Sequence, residues 1–140
     1  MGMREKIGNA AFPEKPGVYV VYRSGSKCPL YVGVAGTQTI RKRWRRQHLR
    51  PRAGSSALRR SLAPYLNLVP EKLRNSDGRK YAEDVEAAIT AFLEGCEIEF
   101  HVVETVDEAD DLEVVLLEKL HPELNISRAR RRRRVEKTGE

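Results

Sequence analysis

Two places in the sequence put a charged group where apolar side chains gather. Projected at about 100° per residue, Ala109, Leu112, Leu116 and Leu120 form one apolar stripe. Glu118 falls on the opposite side, where a carboxylate meets water, but Glu113 falls inside the edge of the stripe. A carboxylate there must be paired, protonated or bound to a metal. Earlier in the chain Ile40 and Trp44 make a narrower stripe, flanked from opposite sides by Arg43 and His48, with Gln47 almost on it. Lys42, Arg45 and Arg46 point away, so Arg43 is a sheltered arginine among solvated ones. A half-buried histidine such as His48 serves structure as readily as chemistry. Tyr19 and Tyr31 sit in neighbouring extended runs, where tyrosines commonly serve packing. Gly33 lies inside one of those runs, and glycine weakens a strand unless something must approach the backbone closely.

The elements that must position these residues follow from patterning. Gly17 to Tyr22 is β-branched and aromatic, Leu30 to Val34 is similar, and the Ser24 to Lys27 turn between them predicts an antiparallel hairpin. Thr39 is placed to cap a helix from Ile40 to about Leu49, which Pro51 stops. Ser55 to Leu62 reads as a further helical piece, and Ala63 to Gly78 carries no clear pattern. Tyr81, Val85, Ala88, Ile89 and Phe92 recur at helical spacing up to Gly95. Glu97 to Glu104 alternates as a strand with Ile98, Phe100 and Val102 on one side. Asp107 to Leu120 is a helix with acids in its first turn, ended by His121-Pro122. The order β-β-α-(α)-α-β-α predicts an α+β domain over residues 13–126, a small three-stranded antiparallel sheet flanked by helices. Residues 1–12 read as a leader without clear structure, and 127–140 as a basic, disordered tail.

The 26 Lys and Arg exceed the 20 Asp and Glu for a net charge of +6, and their distribution matters more than the sum. From Arg41 to Arg60 there is no acid; from Tyr81 to Glu118 there is no Lys or Arg; Arg130 to Arg134 is an unbroken basic run. A positive and an acidic face together suit a protein that meets a polyanion in one orientation. Arginine dominates, which favours forked contacts to phosphate oxygens. Arg41, Arg45, Arg46 and Arg50, with Arg131 and Arg132 of the tail, are the candidate phosphate contacts, and Gly33 is a further candidate for nucleic-acid binding. Cys28 and Cys96 have no CxxC spacing, which excludes a zinc knuckle and a disulfide framework and suits reduced cytosolic thiols. No stretch approaches the ~20 apolar residues of a membrane span, and no signal peptide is visible. The expectation is a cytoplasmic protein with a nucleic-acid partner and no membrane.

Gly17-Val18-Tyr19, Tyr31-Val32-Gly33, Ile40 to Arg43, Glu113, and the ending His121-Pro122-Glu123-Leu124-Asn125 resemble, in that order, the GIY-YIG nuclease family. The resemblance covers roughly Pro16 to Asn125, with a middle segment (about 54–95) longer than the smallest members have. It implies a metal-dependent endonuclease that hydrolyses phosphodiester bonds, most readily of DNA, using Mg²⁺ or Mn²⁺ held by Glu113. Arg43 would be the family's helix arginine, Tyr19 and Tyr31 the motif tyrosines, Gly33 the glycine after them, and Asn125 a structural fastening. His48 falls one position beyond the place where many members keep a His or Tyr. Tyr19 would be the general base, helped towards phenolate by metal and arginine, which predicts a rate that rises with pH. Some members carry a lysine where this chain has Val34; another cation such as Arg41 would have to replace it, or activity would be reduced.

Two other readings fit the same residues. One is a nucleic-acid-binding module that keeps the fold without turnover. The other is a protein-interaction domain whose acidic Tyr81 to Glu118 surface docks a basic partner. With no second recognition domain visible, target choice would fall to the middle segment, to a homodimer or to an accessory protein.

Overall fold

A computed structural model describes residues 4–50, 56–69 and 81–125. Its strands are β1 (Glu5–Lys6), β2 (Gly17–Tyr22), β3 (Pro29–Ala35) and β4 (Glu97–Val102), joined by helices α1 (Ile40–Arg43), α2 (Ala57–Tyr65), α3 (Glu83–Gly95) and α4 (Val106–Leu120). The strands form one antiparallel sheet in the order β1-β4-β2-β3. This is an α+β fold, as the patterning predicts, with one strand more than expected.

That strand comes from the segment read as a leader. Glu5 and Lys6 pair with Ile98 and Glu97, Ile7 is buried, and Phe12 stacks on Trp44 with ring centroids 5.6 Å apart. A two-residue strand is too short to show alternation, so only Ile7 and Phe12 could have signalled it.

β2 is buried along its whole length because both faces of the sheet are covered. Tyr19 and Val21 face a cluster with Trp44, Leu58, Leu62, Ile89 and Leu93. Val18, Val20 and Tyr22 face Leu117 and its neighbours on α4. Each such apolar side chain contributes about 1.5–3 kcal/mol when fully buried, so the strand that carries Tyr19 is the most firmly held in the sheet.

Side-chain caps fix where α1, α2 and α4 start. The hydroxyls of Thr39, Ser56 and Thr105 accept from the amides of Lys42, Arg59 and Glu108, at 3.1 Å in each case. α2 runs three residues past the expected Leu62, through Pro64 to Tyr65. α4 stops where His121 enters the left-handed region at φ 49° and Pro122 follows.

The helix expected from Ile40 to Leu49 changes character part-way. After Arg43 it continues as a π-helical turn over Trp44–His48, closed by the Leu49 amide donating to the Trp44 carbonyl at 2.8 Å. A π turn spaces its bonds five residues apart instead of four, so it takes up one extra residue. Straight-helix geometry put Arg43 and His48 on opposite flanks of the stripe. The wider turn brings His48 inward, where it is fully buried against the Trp44 ring, centroids 4.7 Å apart.

Candidate active site

Tyr19 lies at the centre of β2, directly across from Gly33 on one side and Phe100 on the other. A Cβ on Gly33 would come 2.4–2.6 Å from Tyr19 ring atoms, so the phenol lies flat over a position that only glycine can occupy. The close approach expected at Gly33 is therefore made from within the fold. Tyr31, two residues away on β3 and opposite Val21, projects from the same face and is almost fully buried.

The Tyr19 hydroxyl is 2.5 Å from His48 Nε2, and His48 Nδ1 is 2.8 Å from Ser56 Oγ. Trp44 packs edge-on against both the Tyr19 and His48 rings. Arg43 reaches the Tyr19 oxygen with a hydrogen bond, while Tyr31 and Glu113 act on it electrostatically. Glu113 is fully buried. The fold thus brings Tyr19, Tyr31, Arg43, His48 and Glu113 into one cluster from β2, β3, α1 and its π turn, and α4.

Burial dominates the electrostatics of this cluster. It raises the Tyr19 pKa well above the ordinary tyrosine value, with Tyr31 and Glu113 adding to the rise and Arg43 opposing it without prevailing. The arginine expected to favour phenolate is outweighed by desolvation, so Tyr19 is a neutral phenol here. Burial also pushes His48 down to about 3, with help from the Arg43 and Arg59 guanidiniums. His48 is therefore neutral at physiological pH.

The remaining candidates are dispersed. Arg45, Arg46 and Arg50 are exposed. Arg41 is bound up with the N-terminal segment: its Nε donates to the Phe12 carbonyl at 2.9 Å and its guanidinium pairs with Glu14 at 2.7 Å. The cation that acts on Tyr19 is Arg43, not Arg41. Val34 pairs with Val18 and packs on the α4 side of the sheet, away from the Tyr19 face. Asn125 ends a 3₁₀ turn, Glu123–Asn125, that lies against β3. Arg131, Arg132 and the rest of the basic tail lie outside the described residues.

The donor set fits a hard divalent cation held by one carboxylate. Glu113 supplies that carboxylate within electrostatic reach of Tyr19. Among the described residues no three His, Cys, Asp or Glu side chains gather into a cage, so water and phosphate oxygens would complete the shell.

The comparison with known families decides what this arrangement belongs to. The GIY-YIG catalytic domain matches residues 11–138. The chain belongs to the GIY-YIG family. Its domain is therefore of the nuclease type, and the resemblance carried by the short motifs extends across nearly the whole chain. No curated protein matches the GIY-YIG chain described here. Among the described residues no helix is long and apolar enough to cross a membrane.

The sequence reading missed the residues behind His48. Arg59 is 2% exposed; it donates to the His48 carbonyl at 3.0 Å, to Thr90 Oγ1 at 2.9 Å, and to Glu86 Oε1 at 2.7 Å. In the sequence Arg59 looks like any other member of the basic run. Glu86 could have been found, since it shares a helical face with Ile89 and Leu93 just as Glu113 does with its leucines.

Proposed function

We propose that this GIY-YIG domain is a divalent-metal-dependent endonuclease that hydrolyses the phosphodiester backbone of DNA. The observation that carries the reading is the 2.5 Å contact between the Tyr19 hydroxyl and His48 Nε2, in a buried cluster shared with Arg43 and Glu113. A buried phenol is a poor packing choice unless its hydroxyl has a partner. A hydroxyl–imidazole pair is also the arrangement that moves protons in hydrolysis.

Mg²⁺ or Mn²⁺, held by Glu113, would polarise the phosphate and lower the pKa of a bound water. Arg43 stabilises the negative charge that grows on the phosphoryl oxygens at the transition state. Tyr19 accepts a proton from the attacking water while its own proton passes to His48 Nε2. The water oxygen forms the new P–O bond, and the sugar oxygen leaves with the bonding pair. Burial makes a standing phenolate costly, and the imidazolium that receives the proton is disfavoured by the same burial, so both charged forms exist only transiently in the coupled transfer. Tyr31 packs against His48, ring centroids 6.2 Å apart, and helps fix where the water can sit.

Exposed Lys42, Arg45, Arg46 and Arg50 make the outer side of the helical segment that carries Arg43 and His48 positive. They supply affinity for the backbone that is independent of sequence, extended by Arg131 and Arg132 of the tail. Choice of target then falls to a second copy of the chain or to an accessory protein.

The test is nicking of supercoiled plasmid with Mg²⁺ or Mn²⁺, beside Glu113→Ala and an EDTA control. Nicking by wild type alone is the expected result. Equal nicking by Glu113→Ala would overturn the assignment of Glu113.

A further inference from the structure

The long middle segment contributes a second layer of polar groups beneath His48. We infer that Ser56 and Arg59 are positioning residues, which hold His48 as the Nδ1-protonated tautomer and leave Nε2 as the acceptor facing Tyr19. The inference rests on the reading above, in which His48 receives the Tyr19 proton.

Which ring nitrogen of a neutral histidine carries the proton is set by the hydrogen bond made on its far side. On that side His48 Nδ1 meets Ser56 Oγ at 2.8 Å, and Ser56 Oγ also accepts from the Arg59 amide at 3.1 Å. With Nδ1 protonated, the donors run in one direction. Arg43 donates to the Tyr19 oxygen, Tyr19 to Nε2, and Nδ1 to Ser56. The opposite tautomer would aim Nε2–H at the phenol oxygen, on which the Arg43 guanidinium also acts. It would then offer Tyr19 no acceptor on His48.

Arg59 holds the backbone of the same residue. Its Nη1 donates to the His48 carbonyl at 3.0 Å and to Thr90 Oγ1 at 2.9 Å, and its Nη2 to the Glu86 carbonyl at 2.9 Å and to Glu86 Oε1 at 2.7 Å. A π turn is a single irregular turn within its helix, and here a buried guanidinium from α2, anchored on α3, holds the carbonyl of its last residue. The segment that lengthens this chain thus acts on proton transfer through His48.

The experiment is ¹⁵N NMR of the full chain at pH 7, reading the His48 ring nitrogens, with His48→Gln identifying the signals among the three histidines. Ser56→Gly removes the hydroxyl but keeps a residue that still caps helices at little cost. The expected result is a protonated Nδ1 and a bare Nε2 in wild type, and a tautomer mixture in Ser56→Gly. In Ser56→Gly kcat falls about 10-fold, the lower end of what partners orienting metal-bound imidazoles contribute, with KM unchanged. Ser56→Thr recovers most of the loss, and Arg59→Lys, which keeps the charge but not the fork, lowers kcat in the same way. A protonated Nε2 in wild type, or an unchanged tautomer in a folded Ser56→Gly, would overturn the inference. The assigned tautomer in a wild type that cuts no DNA would leave the hydrogen-bond assignment standing and remove the nuclease reading instead.

Discussion

Gly33 and Tyr19 face each other across the β2–β3 ladder, and the phenol ring lies where a Gly33 side chain would begin. The second motif glycine is thus a steric condition for the position of the first motif tyrosine. Gly33→Ala would force the ring to shift or the strands to part. Overpacking of this kind costs about 1–3 kcal/mol, and a displacement of ~1 Å at a reacting group can cost about 100-fold in rate. Thermal melts and nicking assays should show both losses. Gly95→Ala is the control, since a Cβ there meets nothing within 4 Å, and it should leave both unchanged.

The pH profile of cleavage distinguishes two routes through Tyr19. If the proton passes directly to His48, both groups stay neutral in the resting enzyme. The rate is then flat from about pH 6 to 8.5 wherever chemistry limits turnover. A rise of about tenfold per pH unit would instead show that phenolate must form first. Single-turnover rates on a nicking substrate decide between them, and the flat profile is the expected outcome. The motif resemblance alone pointed to the rising profile; the flat one follows from the proposed transfer to His48, which the buried setting of Tyr19 favours over a standing phenolate.

His48 also makes stability depend on pH. Its pKa is about 6.5 in an unfolded chain and about 3 when buried, so the folded state binds this proton less readily than the unfolded one. The contribution is whole above pH 6.5 and is lost as pH falls from 6.5 towards 3. At pH 5 the loss is about 2 kcal/mol. Urea unfolding at pH 7 and pH 5 should show it in wild type and a smaller change in His48→Gln. Tyr19 acts at the other end of the scale: its contribution is intact below pH 10 and is lost as pH rises beyond that.

Salt dependence tests the basic face. Arg45→Ala and Arg46→Ala should each weaken binding to any duplex and reduce the slope of log K against log salt by about 1. Arg41→Ala should change the slope less, because Arg41 already pairs with Glu14 and the Phe12 carbonyl. It should lower the melting temperature instead. Fluorescence anisotropy between 50 and 200 mM salt, a range over which such contacts lose about 10³–10⁵ in affinity, would separate the two effects.

Much of this was legible in the residues, and the parts that were not have physical reasons. The hairpin, α3, β4 and α4 follow from periodicity because each is long enough to repeat its pattern. Glu113 stood out because a carboxylate on a leucine stripe conflicts with its surroundings, and it is fully buried in the fold. β1 escaped notice because pairing of two residues is set by tertiary contact alone. Arg59 was hidden in a run of arginines that otherwise face water, and only the fold shows that Glu86 and the His48 carbonyl draw it inward. The full burial of His48 was not foreseen because the projection assumed a constant α-helical pitch, whereas the π turn carries it inward.

That change of pitch has a consequence for how the motif is recognised. The interval between two side chains that must meet is fixed in space, while the number of residues spanning it depends on which carbonyl each amide selects. By passing over the Arg45 carbonyl and selecting that of Trp44, the backbone absorbs a single-residue insertion locally, and the strands and remaining helices need not adjust. A chain can therefore drift by one residue between its arginine and its histidine and still present both to the same tyrosine. Conversely, removing one residue from Arg45 to Gln47 should restore an ordinary helical turn and leave the arginine-to-histidine geometry almost unchanged.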